Sequence, residues 1–153
     1  GNEQFLRYLA QNFISLEPPL SFYGNSVVEK DGQYGEAFDL DGKGAVFFVD
    51  FARAMSLKYG ICKTSTLERL QSLQEKQHIP SDLGSELVEA YELLMHIGLV
   101  HQLHLMEDGR EPNNKVSPGD LSDLEKQSLK EVFEVIRRLQ GFARYEFGIP
   151  KKG

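Results

Sequence analysis

Residues 83–104 read LGSELVEAYELLMHIGLVHQLH, and this stretch decides the fold. Seven of its side chains are separated alternately by four and three residues: Leu83, Leu87, Ala90, Leu94, Ile97, His101 and His104. This spacing places all seven on one face of a long helix, as a helix that packs within a bundle requires. Ser81 follows the helix-breaking Pro80 and is expected to cap this helix.

Two helices are predicted earlier in the chain. The first has apolar residues at spacings of three and four and is ended by Pro18-Pro19; its apolar residues are Leu6, Leu9, Phe13 and Leu16. A second helix should run from about Ala45 to Tyr59, with Gly60 in the C′ position that favours glycine.

Two capping boxes mark the remaining helices. Ser65 with Glu68 begins the third helix, and Ser122 with Glu125 begins the fifth. The apolar face of the fifth helix consists of Leu129, Val132, Ile136, Leu139 and Ala143.

Between the first two helices, short apolar runs flank the turn sequence Lys30-Asp31-Gly32 and predict a small β-hairpin. The predicted fold is therefore mainly all-α: an up-and-down bundle of about five helices with a hairpin insertion near residues 24–41. Residues 1–153 are expected to form a single helical domain. The chain begins with Gly-Asn and no methionine, so we expect it to be excised from a longer multidomain protein.

The composition is 41% hydrophobic and 26% charged, as in globular domains, and the net charge of −6 argues against nucleic acid or an anionic membrane as the main partner. The single cysteine, Cys62, excludes an internal disulfide and fits a reducing cytoplasm. No apolar run approaches the length of a membrane span.

The stretch from Asp39 to Arg53, DLDGKGAVFFVDFAR, is a glycine-broken loop that runs into an apolar helix. A loop that ends at a helix start presents free backbone N–H groups. Asp50 and Arg53 lie three residues apart among apolar neighbours, which indicates either a structural ion pair or a functional site. If the pair is buried, breaking it should cost about 3–5 kcal/mol.

Five basic side chains are candidates for an anion site. They are Lys43 in the glycine-broken loop, Arg53, Arg69 in the opening turns of the third helix, Arg137 and Arg138. The structural alternative is that Arg69 pairs with a neighbouring carboxylate, while Arg137 and Arg138 cover a solvated face.

The chain is not expected to be catalytic alone. His101, His104 and Asp108 could share a helix face, but nothing supplies a second group of metal ligands. Phosphate-binding loops, serine-nucleophile elbows and Cys-x-x-Cys pairs are absent from the sequence. Asp39 and Asp41 have the spacing of nucleotidyltransferase carboxylates, yet no Gly-Ser precedes them, so they are interpreted as turn and cap groups.

Six motifs occur in a fixed order. They are PPLSFYG (18–24), DL…G…VDFAR (39–53), TSTLERL (64–70), HQ (101–102), EPNN (111–114) and LSDLEKQSLKEVFEVIRRLQ (121–140). Together they resemble the nucleotidyltransferase substrate-binding domain at the C-terminus of bacterial signal-transduction proteins. Those proteins typically carry CBS domains, often a cyclic-nucleotide-binding-like domain, and a nucleotidyltransferase domain similar to that of PII-protein uridylyltransferase. The resemblance extends from Phe5 to about Phe147.

The resemblance implies a helical domain that packs beside a catalytic domain and closes a cleft over the acceptor substrate. Motif by motif, the substrate-binding residues that it implies are Asp50, Arg53, Thr66, Arg69, His101, Gln102 and Asn114, to which Lys43 is added. Two positions depart from the family: Asp41 stands where lysine is common, and Phe47 where proline is common. Both departures weaken the interpretation of this loop as an anion-binding site.

The expected function is that of a substrate-binding or regulatory domain, with no cofactor or metal of its own. Mg²⁺ and a nucleoside triphosphate are expected in the partner catalytic domain. The expected partners are the nucleotidyltransferase and CBS domains of the same protein, with a PII-type protein or a small-molecule acceptor and a homodimer as further candidates. The alternative is a non-catalytic interaction or dimerisation module in which the same polar residues are structural.

Overall fold

The computed structural model describes residues 2–15, 20–23, 26–29 and 38–151. This part of the chain contains five α-helices, α1 (Asn2–Ile14), α2 (Val46–Tyr59), α3 (Thr66–Glu75), α4 (Ser81–Glu107) and α5 (Asp123–Glu146). Each helix packs against the next along the chain, and α5 also packs against α1 and α2. The predicted all-α bundle is confirmed.

Three of the predicted helix ends are confirmed. Gly60 follows α2 with a left-handed φ of 68°, which glycine adopts without a steric penalty. The Ser65 hydroxyl accepts a hydrogen bond from the Glu68 N–H (3.1 Å) at the start of α3. At the start of α5, Ser122 and Glu125 form both hydrogen bonds of a capping box.

The predicted cap of α4 is wrong by one residue. Pro80 occupies the N-cap position, and Ser81 is already helical and caps no backbone N–H there. The Pro80 carbonyl accepts the first helical hydrogen bond, from the Gly84 N–H at 2.8 Å. A carbonyl acceptor is all that the backbone of an N-cap residue must supply, so a proline can occupy the position.

A short antiparallel hairpin precedes α2. Strands β1 (Leu20–Tyr23) and β2 (Ser26–Glu29) pair with Leu20 opposite Glu29 and Tyr23 opposite Ser26. The hairpin therefore begins before the predicted range of 24–41. Lys30-Asp31-Gly32 follows the second strand instead of separating the two strands, and lies outside the described residues.

A second pairing was not predicted. Strand β3 (Phe38–Asp39) pairs antiparallel with β4 (Lys115–Val116), with Asp39 opposite Lys115. It joins the segment before α2 to the segment before α5. The candidate site lies beside this pairing of two two-residue strands.

The core centres on α2, whose phenylalanines and Met55 are fully buried. Phe51 makes edge-to-face contacts with Phe13 (6.3 Å between ring centroids) and Phe142 (6.2 Å), linking α2 to α1 and α5. The predicted apolar face of α5 is buried along its whole length.

The predicted face of α4 is buried only as far as Ile97. His101 is half-buried and His104 is exposed, whereas Leu105 is buried. A strict four–three spacing drifts by about 20° per heptad around a straight helix. After three heptads the drift has carried His104 off the core, and Leu105 replaces it.

Within the described ranges, no helix is both long and apolar enough to cross a membrane.

Candidate functional site

The loop after β3 is held by the side chain of Asp39. Its Oδ1 accepts hydrogen bonds from the backbone N–H groups of Asp41 (3.1 Å) and Gly42 (3.0 Å). A Cβ atom on Gly42 would lie 2.5 Å from Asp39 Oδ2, so a larger residue here would require the Asp39 carboxylate to move. The interpretation of Asp39 as a turn group is confirmed, although Leu40 occupies the N-cap position of the following turn.

Asp41–Ala45 form a π-helical turn that leads directly into α2. The Ala45 N–H donates to the Leu40 carbonyl five residues back, at 2.8 Å. The Val46 N–H donates to the carbonyl of Asp41. The prediction of free N–H groups where the loop enters α2 is therefore wrong for Ala45 and Val46, whose N–H groups are already bonded within the π turn. Such turns are frequent at functional sites.

Three distant segments meet beside this turn. Gln102 of α4 donates from Nε2 to Asn114 Oδ1, and Asn114 donates from Nδ2 to Asp41 Oδ2. The Leu40 N–H donates to the Asn114 carbonyl at 2.9 Å. We call Asp39, Asp41, Gln102 and Asn114 the loop cluster. Its Asp41 is exposed, and its two amide side chains are half-buried.

Lys43 projects from the same π turn and is exposed. Within the described part of the chain, its ammonium makes no ion pair or hydrogen bond. Of the eight residues predicted to bind substrate, the structure thus brings Gln102 and Asn114 into contact, and Lys43 lies two residues after Asp41 on the adjoining turn. The structure adds Asp41, which stands where lysine is common in the family that the sequence resembles.

Arg53 lies on the exposed side of α2, and Asp50 lies at the edge of its buried face. Asp50 is half-buried and Arg53 is exposed, so the pair does not face into the bundle. Burial raises the pKa of Asp50, and the positive charge of Arg53 opposes that rise. Among the described residues, the Asp50 carboxylate makes no hydrogen bond or close ion pair. The two charges interact at a distance and are not a buried pair.

Thr66 and Arg69 lie at the start of α3, beside the loop that follows α2. Thr66 is half-buried and is the first residue of the helix. Arg69 Nε donates to the Lys63 carbonyl at 2.8 Å, so Arg69 braces the loop through a carbonyl and not through the carboxylate considered above. The π turn and the start of α3 are connected to opposite ends of α2, a helix of about 21 Å at 1.5 Å per residue.

His101 neighbours Gln102 in sequence but lies about 100° around the helix from it. The side chain is half-buried. Its Nε2 atom is buried and has no hydrogen-bond partner among the described residues. In those same residues, no group of three His, Cys, Asp or Glu side chains is placed to hold a metal ion.

A second polar cluster, not predicted from the sequence, joins the C-terminal ends of α2, α3 and α5. The Tyr59 hydroxyl donates to Glu146 Oε1, and Lys58 Nζ lies 3.0 Å from the same oxygen and 2.9 Å from the Glu146 carbonyl. The Tyr59 ring stacks on His78, with centroids 3.9 Å apart. We call Lys58, Tyr59, His78 and Glu146 the helix-end latch.

Burial and the contacts of the helix-end latch raise the pKa of Tyr59. Burial, followed by the hydrogen bond to Glu146 and the charge of that carboxylate, raises the pKa of Tyr59 to about 12. Each polar group of the pair thus already has its partner within the chain, which is typical of a structural contact.

The family described as "Putative nucleotidyltransferase substrate binding domain" matches residues 3–147, nearly the whole chain. No curated protein and no solved structure is significantly similar to the chain.

Proposed function

Because the chain belongs to the family of nucleotidyltransferase substrate-binding domains, we propose that it is the substrate-binding and regulatory domain of a bacterial nucleotidyltransferase-like signal-transduction protein. A separate domain of that protein carries out uridylyl or adenylyl transfer and holds Mg²⁺ and the nucleoside triphosphate. The helical domain packs beside it, with CBS domains in the same protein, and presents the acceptor.

One observation carries the choice of site: the hydrogen-bonded chain from Asp41 through Asn114 to Gln102. These residues come from three different segments, and the β3–β4 pairing holds two of those segments together. A surface whose polar groups are fixed before a ligand arrives loses less conformational entropy on binding. This supports the loop cluster as the place where substrate is recognised.

The charge of the cluster favours an acceptor over a nucleotide. Asp39 and Asp41 contribute two carboxylates, and Lys43 is the nearby cation on the same turn. Two carboxylates repel a triphosphate, whereas carboxylate and amide oxygens accept hydrogen bonds from hydroxyl, amide or ammonium groups. The substrate held here is therefore the group that receives the nucleotide, on a protein or on a small molecule.

The remaining predicted residues differ in whether their side chains are free to contact a substrate. Arg53 is exposed and can reach a partner, so it extends the site along α2. Arg69 already donates to a backbone carbonyl and contributes less. His101 and Thr66 lie away from the loop cluster and belong to the proposal only through the family resemblance.

The experiment is a titration of a PII-type protein, and separately of UTP, into the ¹⁵N-labelled chain. We expect the PII-type protein to shift the amide signals of residues 39–43 and 113–115, and UTP to leave them unchanged. Lys43→Ala and Arg53→Ala should weaken binding, Arg69→Ala should weaken it less, and Gln71→Ala, at an exposed position of α3, should not. Equal binding by all four variants would contradict the assignment of Lys43, Arg53 and Arg69 to the binding site.

The alternative function, an interaction module, is favoured by one observation on α4. Leu99, Leu103 and Met106 follow helical spacing and are 57%, 48% and 58% exposed, which forms an apolar stripe beside Gln102. If the stripe mediates dimerisation, light scattering should show a dimer whose dissociation increases with Leu103→Ser. A monomer at all concentrations, with the loop-cluster variants defective in binding, favours the first function.

A further inference from the structure

A pocket opens between the last turns of α4, the loop that leads to α5, and the first turn of α5. Its volume is about 310 Å³, at the lower end of the range for small-molecule sites. Ile97, Val100, Val116 and Leu121 supply apolar walls. No member of the loop cluster lines it, and of the eight residues predicted to bind substrate only His101 does.

A histidine in the wall of this pocket has an unsatisfied ring nitrogen. His101 lines the pocket, and its Nε2 atom is buried without a hydrogen-bond partner in the described residues. Buried polar atoms almost always have a partner, and an orphaned one calls for an explanation. A ligand that hydrogen-bonds to this nitrogen supplies one.

The charges around the pocket indicate the sign of the charge that the ligand carries. Glu107, Asp108 and Asp120 line it, against the single cation Arg110. A further acid, Glu125, is already engaged by the Ser122 N–H (3.0 Å). The pocket also adjoins the C-terminal end of the 27-residue α4, where the helix dipole is negative. Both contributions favour a cation.

We propose that this pocket binds a small aliphatic amine. The ammonium group donates to His101 Nε2 and to the acidic rim, and the aliphatic chain lies against the apolar walls. The proposal goes beyond the substrate-binding function and does not depend on it, because it uses a different face of α4.

Three probes with the same five-carbon chain test the chemistry. They are 1,5-diaminopentane, 1,5-pentanediol and glutarate, which end in ammonium, hydroxyl and carboxylate groups. Each is titrated into the ¹⁵N-labelled chain in 150 mM salt, which screens exposed charges beyond about 8 Å. We expect the diamine to shift the amide signals of Val100, His101, Val116 and Leu121 with a millimolar dissociation constant, as suits a ligand of this size. The diol should bind at least tenfold more weakly, and glutarate should not bind.

Two variants test the residues. His101→Phe keeps an aromatic ring but removes the nitrogen, and should weaken diamine binding roughly tenfold. His96→Phe is the matched control, because His96 is exposed on the same helix and does not line the pocket. Should His101→Phe fail to fold, Asp120→Asn at the exposed rim should weaken the same binding several-fold.

Three results would overturn the proposal. Glutarate binding as tightly as the diamine excludes a cation site. Amide signal shifts spread over all surface acids would show that the diamine is attracted only by the net charge of −6. Equal diamine affinity for wild type and for the folded pocket variants removes the pocket as the location.

Discussion

The loop cluster and the helix-end latch are both polar networks that join distant segments, yet they differ in what they leave available. In the latch, the Glu146 carboxylate accepts from Tyr59 and Lys58, and a histidine ring covers the tyrosine. In the loop cluster, Asp41 is exposed and its neighbour Lys43 is free within the described residues. Groups that are fixed but still accessible suit binding, whereas fixed and covered groups suit stability.

The largest expected effect lies in the latch. Glu146→Ala leaves the Tyr59 hydroxyl without its acceptor and the Lys58 ammonium with only the backbone carbonyl of residue 146, so the free energy of unfolding should fall by about 2–3 kcal/mol. Chemical denaturation measures this loss. Glu134→Ala, at an exposed position of the same helix, should change it by less than about 0.5 kcal/mol. A loss as small as that of the control would mean that the latch is not structural.

A smaller loss is expected in the loop cluster. Asn114→Ala removes the link between Asp41 and Gln102, but both partners reach solvent and can bind water instead, so we expect a loss of about 1 kcal/mol. The same denaturation experiment, run beside Gln71→Ala, provides the comparison. A loss larger than that of Glu146→Ala would reverse the distinction between the two clusters.

How much of this contrast could be predicted depends on the range of the interactions. The apolar face of α5, the capping box at Ser122 and the hydrogen bond from the Glu68 N–H to the Ser65 hydroxyl follow from residues three or four apart, and they were predicted from the sequence. On α2 the phenylalanines, alanines and Met55 surround almost the whole helix, so periodicity did not show that Arg53 points outward.

The two clusters themselves depend on contacts between distant segments. Gln102 meets Asn114 because β3 and β4 pair, and each strand has only two residues, too few for a period to be visible. The latch requires three helix ends to meet, which no local pattern encodes. Motif resemblance found Gln102 and Asn114 but could not show that Asp41 joins them.

The latch also predicts a dependence of stability on alkaline pH. The pKa of Tyr59 is about 12 in the folded chain, above its ordinary value of 10.0. The unfolded state therefore loses this proton first, and stability that is fully present below pH 10 should be lost as the pH rises to 12. Thermal melts from pH 9 to 12 should show a shallower decline for Tyr59→Phe than for wild type. Parallel declines would contradict the assigned role of the tyrosine.

The smallest effect, and one of opposite sign, is expected at Asp50. Burial raises its pKa, so the folded chain favours the neutral form, and stability falls as the pH rises through that pKa. Asp50→Asn should therefore stabilise the chain slightly at pH 7, with the gain vanishing below pH 4. Melts of the two proteins at both pH values measure it. Destabilisation by 3–5 kcal/mol would instead indicate the buried ion pair that the structure lacks.

The most direct test of the central claim compares one variant from each cluster in binding. A PII-type protein is titrated by calorimetry into wild type, Asn114→Ala and Tyr59→Phe, each verified as folded at the temperature used. We expect Asn114→Ala to weaken binding at least tenfold, and Tyr59→Phe to lower the melting temperature and leave the dissociation constant unchanged. Wild-type affinity in Asn114→Ala, or loss of affinity in Tyr59→Phe alone, would contradict the assignment of substrate recognition to the loop cluster.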